Sequence, residues 1–138
     1  KMHQYQRIQR ANRTSKYRSG LEEAVANQLN SLSIPFEYEK LVLNYVRPEK
    51  EHRYTPDFVL NNGIIIECKG QLLTSDRQKM ILVKKHHPKR DIRFVFSNSK
   101  SRISKKSKTT YAMWCERNGF PYADKFIPTD WLKEKSVA

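Results

Sequence analysis

Three consecutive isoleucines, Ile64-Ile65-Ile66, run straight into Glu67-Cys68-Lys69, and that junction constrains the fold more than any other stretch. A run that is apolar at every position reads as a strand buried on both faces of a sheet. Side chains alternate along a strand, so Glu67 and Lys69 share a face and Cys68 takes the other. Residues 54–60, with Pro56-Asp57 among them, read as the partner strand, and Asn61-Asn62-Gly63 as the connection. A three-residue loop with Gly63 in the left-handed region pairs Leu60 with Ile64, and so Asp57 with Glu67. A two-residue Asn62-Gly63 turn would pair Asp57 with Cys68 instead and break up the group. The three-residue loop is the expectation here.

Two carboxylates and an ammonium on one face make a poor arrangement without a cation. At an effective dielectric near 20, two unit charges about 4 Å apart repel by roughly 4 kcal/mol. Oxygen-rich sites suit hard ions such as Mg²⁺, which keeps several waters and also takes phosphate oxygens. Such an ion lowers the pKa of water and stabilises charge on phosphate, and a lysine can hold that water or offset charge in the transition state. A solvated polar edge strand would carry the same letters, because the pattern is short. The isoleucines beside it favour the metal reading.

Charge is partitioned along the chain. Its 138 residues suit one domain and carry a net charge of +13. Residues 1–21 hold six basic residues and no acid, residues 77–93 hold seven against Asp91, and residues 97–110 hold five and no acid. Residues 22–76 hold nine acids against five basic residues. A partner rich in phosphate, gripped by the basic stretches and cut at the acidic island, fits this division. Arg7, Arg10, Arg13, Lys16 and Arg18 in the first stretch, and Lys100, Arg102, Lys105, Lys106 and Lys108 in the last, are the candidate contacts to that polyanion. Any one run could be a solvated tail; three around one acidic constellation argue otherwise. The apolar fraction of 38% is below the usual ~45–50%, so residues 1–16 are expected to form a mobile basic arm and residues 17–138 a single domain. Cys68 and Cys115 lie far apart, no CxxC spacing occurs and His86-His87 has no partner motif. That excludes a zinc site and reads as two reduced core thiols of an intracellular protein. No apolar run is long enough for a membrane span, and no signal peptide is read.

Ser19-Gly20-Leu21-Glu22 is a capping box opening a helix with Leu21, Val25, Leu29 and Leu32 on its apolar stripe, stopped by Pro35. By spacing, Glu22 is either the capping partner of Ser19 or a further metal carboxylate. Residues 36–46 read as one long extended segment closed by Pro48, and the charged residues 47–53 do not look like a tight hairpin. Ser75 or Asp76 could cap a second helix ending at Pro88, residues 92–96 form a buried strand, and residues 109–118 a short helix ended by Gly119. A last helical turn falls at residues 128–133. The expected fold is α/β, a mixed central sheet flanked by helices.

At this point the residues resemble a known family. Arg18-Ser19-Gly20-Leu21-Glu22, Phe36-Glu37-Tyr38-Glu39, Tyr54-Thr55-Pro56-Asp57-Phe58, Glu67-Cys68-Lys69-Gly70 and Tyr122-Ala123-Asp124-Lys125-Phe126-Ile127-Pro128, with Trp131 after it, are similar to the endonuclease I family of podophages. These are Holliday-junction resolving enzymes of the PD…(D/E)xK nuclease superfamily. The resemblance spans residues 17–131 and implies a restriction-endonuclease-like core and a Mg²⁺- or Mn²⁺-dependent endonuclease that cuts branched DNA. It implies a catalytic set of Glu22, Asp57, Glu67 and Lys69, with Asp57, Glu67 and Glu22 as metal carboxylates. It also implies an intertwined homodimer exchanging an extended segment, here residues 36–48. Two sites related by a two-fold axis suit a four-way junction cut on two strands. The rival readings are another enzyme of that superfamily, of transposon end-cleaving or mismatch type, and a basic nucleic-acid-binding module without activity.

Deleting residues 1–16 should weaken DNA binding without removing metal-dependent chemistry. The slope of log K against log salt should shrink by roughly 0.9 for each phosphate that the arm neutralises. An unchanged slope in a salt titration would make the arm a bystander.

Overall fold

The structure is a computed structural model that describes residues 16–47 and 50–136. Helix α1, Gly20–Ser31, begins where Ser19 Oγ accepts the Glu22 N–H at 3.1 Å. Its buried stripe is Glu22, Val25, Ala26 and Leu29, the spacing of one helix face. Leu32, expected to extend that stripe, is exposed, and Ser33 turns the chain at φ 55° ahead of Pro35.

Residues 36–46 do not form one long strand. Strand β1, Phe36–Tyr38, is short, because Glu39 adopts φ 50° and bends the chain. Strand β2, Leu43–Arg47, then returns on β3, Lys50–Tyr54, in an antiparallel pair running from Leu43 opposite Tyr54 to Arg47 opposite Lys50. The reading of residues 47–53 as no tight hairpin is therefore overturned. The alternation that makes the hairpin is sparse: Leu43, Tyr45 and Tyr54 face the core, while charged residues occupy most of β3.

Strands β4, Phe58–Leu60, and β5, Ile65–Lys69, pair with Phe58 opposite Ile66 and Val59 opposite Ile65. Leu60 N–H donates to Ile64 O at 2.9 Å and Gly63 sits at φ 89°, so the three-residue loop is the one formed. Helix α2, Thr74–His86, follows, with its N-cap at Leu73, two residues ahead of Ser75 and three ahead of Asp76, the expected caps. Leucine has no acceptor, and Asp76 Oδ2 instead reaches back to accept the Leu73 N–H at 3.0 Å. Then come β6, Ile92–Phe96, α3, Tyr111–Asn118, β7, Tyr122–Asp124, and α4, Thr129–Lys133. Strand β7 is only three residues long, too short for its pattern to announce it.

One five-stranded sheet in the order β1-β4-β5-β6-β7 carries the domain. The β1, β4 and β5 pairings are antiparallel, whereas β5-β6 and β6-β7 are parallel. On one face Ile66, Cys68, Val95, Phe58 and Leu60 meet Val25, Ala26 and Leu29 of α1, with Trp131 and Leu132 against them. On the other, Ile65, Phe94 and Phe96 meet Met80 and Val83 of α2, Trp114 and Cys115 of α3, and Leu43, Tyr45 and Tyr54 of the hairpin. The isoleucine run is apolar throughout because both of its faces are covered.

Gly63→Ala tests the turn. An added Cβ would meet no atom within 4 Å, so backbone strain alone sets the cost, about 1–2 kcal/mol for a left-handed L-residue. Urea unfolding should show a lower midpoint of that size at unchanged slope.

Candidate active site

The strand registers line up the acids. Continued one step past the strand ends, the pairings put Glu39 opposite Asp57 and Asp57 opposite Glu67. Backbone and carboxylate then interlock. Asp57 Oδ2 accepts the Cys68 N–H at 2.8 Å, and Glu67 Oε1 accepts the Asp57 N–H at 3.3 Å. The Glu39 N–H donates to Asp57 O at 3.1 Å.

Glu22 enters from the first turn of α1 and is 7% exposed. Its Oε1 accepts from Arg18 N–H at 3.2 Å and from the Tyr38 hydroxyl at 2.5 Å. The side chain therefore reaches back past the N-cap, as in a capping box, and still stands beside the other acids. One carboxylate oxygen each from Glu22, Glu39 and Asp57 lies within 4.8 Å of the others. Glu67 sits to the side of this trio, buried, with the Tyr54 hydroxyl donating to its Oε1 at 2.9 Å. Lys69 Nζ lies 3.8 Å from Glu67 Oε2 and 3.2 Å from Asp76 Oδ1. Cys68 points to the α1 face, as the alternation requires.

Burial and crowding set the electrostatics. Burial, and then the neighbouring Glu67, push the Asp57 carboxyl up to about 8, against the pull of the Cys68 N–H. Burial pushes Glu67 up, although Lys69, the Tyr54 hydroxyl and the Asp57 N–H all favour its charge. For Lys69, burial works against the charge, but Glu67 and Asp76 outweigh it and the ammonium is held above its ordinary value. Burial and then the hydrogen bond to Glu22 push the Tyr38 hydroxyl up. Carboxyls that resist ionisation while facing one another are a donor set that a divalent cation would relieve.

The basic residues fall into three groups. Arg7, Arg10 and Arg13 lie outside the described residues. Lys16 is exposed, and Arg18 Nε is paired with Glu39 Oε1 at 2.9 Å, which ties it to the acidic trio. Lys100, Arg102, Lys105, Lys106 and Lys108 are all exposed on the loop between β6 and α3. That loop is well anchored: Ser99 N–H and Oγ donate to the two Asp124 carboxylate oxygens at 2.7 and 2.9 Å, Arg102 bridges Thr110, and Ile103 packs on the core. Sequence reasoning passed over Glu39, Tyr54 and Asp76. Only Glu39 had a readable signal, its position opposite Asp57 once β1 is paired with β4.

Acids and a lysine gathered on a mixed sheet, in a chain this basic, suit the hydrolysis of a phosphodiester. The model of the phage endonuclease I family matches residues 2–138, and the chain belongs to that family. It is similar to Endonuclease I of Escherichia phage T7, 49% identical over 118 residues that cover 86% of this chain and 79% of that protein. It is also similar to Endodeoxyribonuclease 1 of Enterobacteria phage T3, 51% identical over 118 residues, 86% of this chain and 78% of that one.

The metal-free protein should lose stability as pH rises. Folded Asp57 keeps its proton up to about pH 8, while the ordinary carboxyl releases it near 3.8. Over that window the folded state binds more protons, so its stabilising contribution is complete at the acid end and lost towards pH 8. Calorimetry across the window should show the fall, Asp57→Asn should flatten it, and Mg²⁺ should raise the melting temperature most at the alkaline end.

Proposed function

We propose that the protein is a divalent-metal-dependent endodeoxyribonuclease that resolves four-way and other branched DNA junctions as a homodimer. The observation that carries the reading is the interlocked pair of Asp57 and Glu67, with Glu22 on one side and Lys69 on the other, in a member of the phage endonuclease I family. The crowded, proton-retaining carboxyls fit a hard cation, Mg²⁺ or Mn²⁺, held by Asp57, Glu67 and Glu22; the oxygens already gathered within 4.8 Å are those of Glu22, Glu39 and Asp57, with Glu67 beside them. When bound, the ion supplies Lewis-acid polarisation of the phosphate and a lowered water pKa.

The chain's own groups do the rest. Lys69, kept charged by its carboxylate neighbours, orients the attacking water or offsets the charge that gathers on the phosphoryl oxygens. Water attacks phosphorus in line and gives up a proton to solvent, the P–O3′ bond breaks, and the 3′ oxygen takes a proton from solvent and leaves as a hydroxyl, with the phosphate kept on the 5′ side. Tyr54 and the Asp57 N–H hold Glu67 in one orientation throughout. The exposed lysines and Arg102 of the anchored loop, with the basic arm of residues 1–16, grip the DNA backbone.

In this reading residues 17–138 form one nuclease domain with a restriction-endonuclease-like core, acting inside the host cell. Residues 36–48 are exchanged between subunits, making in the dimer the pairings that β1 and β2 make here with β4 and β3 of their own chain. Support comes from the position of β1 as the outer strand of the sheet and from Val42 and Val46, which are exposed on that segment. Paired sites on a two-fold axis would cut the two strands that resolution requires.

A labelled four-way junction and a duplex of the same arm sequence, each with and without Mg²⁺, test the proposal. The junction alone should be cut, and only with the metal. Equal cutting of the duplex would instead support a different specificity within the nuclease superfamily, and binding without cutting would support an inactive DNA-binding module. Asp57→Asn, Glu67→Gln and Lys69→Ala should each abolish cutting while gel shifts in Ca²⁺ stay close to the parent's. Light scattering from nanomolar to micromolar protein should show a dimer throughout; a fully active monomer would sink both the exchange and the paired incision.

A further inference from the structure

Three parallel strands stop at one level, and a cleft opens beyond them. Lys69 of β5 pairs with Phe96 of β6, and Phe96 with Asp124 of β7. The next residues in the chain, Gly70, Ser97 and Lys125, all line one cleft of about 530 Å³. Gly20 and Leu21 at the start of α1 form its other wall, and Phe126 stands at its side. In open α/β sheets the crevice outside the carboxyl ends of the strands is where ligands bind. This one adjoins the candidate active site along the chain itself, because Gly70 follows Lys69 and Leu21 precedes Glu22.

Of the exposed large apolar side chains among the described residues, Phe126 is the most exposed, at 56%, and the one aromatic. Its turn is held from both sides. Lys125 N–H donates to Phe96 O at 2.7 Å, and Phe126 N–H to Asp124 O at 2.8 Å. The Gln28 amide of α1 donates to Ile127 O at 2.8 Å and accepts the Ile127 N–H at 2.9 Å. Lys125 is kept at φ 68°, a left-handed conformation unfavourable to an L-residue. The fold thus braces a ring that it does not bury. The Lys125 ammonium and the Ser97 hydroxyl have no ion-pair or hydrogen-bond partner among the described residues.

We propose that this cleft receives the nucleotide next to the scissile phosphate, its own phosphate on Lys125 and Ser97 and its base against Phe126. The proposal rests on the nuclease reading above and names the part of a branched substrate that the site grips. A purely apolar partner would have no use for a free ammonium and hydroxyl beside the ring, and a purely electrostatic grip would have none for the ring. Every base has a π-face that can stack on an aromatic side chain. Within a duplex both faces are covered by neighbouring bases. At a branch point the stack is broken, and a base there can turn onto the ring. Phe126 is then a specificity-determining residue, favouring the branch and adding nothing to an intact duplex.

The test compares a four-way junction with a duplex of the same arm sequence, both bound in Ca²⁺. Phe126→Ala should weaken the junction Kd by about 10-fold, the scale of one lost base–aromatic stack, and leave the duplex Kd near the parent's. Phe126→Tyr, which keeps the ring, should restore junction binding. The melting temperature should hold in both variants, since the ring is exposed. Lys125→Gln should lower the slope of log K against log salt by roughly 0.9, one phosphate contact. 5-Iodouracil, placed one position at a time along the cleaved strand and irradiated, should cross-link beside the cut to the peptide that holds Phe126, and should fail to do so in Phe126→Ala.

Equal weakening on junction and duplex, an unchanged junction Kd, no recovery in Phe126→Tyr, a fall in melting temperature, an unchanged salt slope or no cross-link to that peptide would each overturn the proposal. Light scattering that shows Phe126→Ala losing a dimer the parent forms would assign the ring to a second copy of this chain and overturn it as well. A parent protein that neither binds nor cuts the junction would overturn the nuclease reading itself, which the parent control shows separately.

Discussion

The register between β4 and β5 places Asp57 against Glu67, and the arrangement of the candidate site depends on it. Each residue's carboxylate accepts a backbone N–H from the opposing strand, from Cys68 in one direction and Asp57 in the other. These bonds fix two acids that repel each other, and burial deepens the conflict by denying both of them water. Tyr54 comes from the β2-β3 hairpin, Glu22 from α1, Glu39 from the bend after β1 and Lys69 from the end of β5. Each arrives on a different element, so the site exists only when the sheet is assembled.

Charge is divided in space as it is in sequence. The acids converge on the junction of β1, β4, β5 and α1, while the basic residues of the β6-α3 loop are exposed. Two cations from the basic stretches reach the acids: Arg18 lies against Glu39, and Lys79 of α2 favours the charge of Glu67. A polyanion approaching the basic surface would be drawn in by long-range attraction while the acids remain available to a cation.

Much of this could be read from the letters, for identifiable reasons. The isoleucine run with its Gly63 turn specified strand, register and facing, because alternation and a left-handed glycine leave few choices. The β2-β3 hairpin was hidden because only Leu43, Tyr45 and Tyr54 carry its inward face. Glu39 could be placed opposite Asp57 once β1 was paired with β4, but its approach to Glu22 depends on a bend at its own backbone that no propensity foretells. Asp76 was legible as a helix-capping residue, but its second oxygen finds Lys69 only through the packing of α2 on the sheet. The family motifs named Glu22, Asp57, Glu67 and Lys69 together, and they did not reveal what holds the lysine.

The clasp of Ser99 by Asp124 has a consequence for how tightly the basic loop can bind. A lysine-rich loop left free would have to surrender its backbone freedom on meeting DNA, and that penalty would be subtracted from the affinity its charges provide. Asp124 lies on β7 and accepts from both the N–H and the hydroxyl of Ser99, so the base of the loop is already ordered in the free protein. The short last strand of the sheet thus holds the base of the loop in place, and in the proposed reading that part of the penalty is met before DNA arrives.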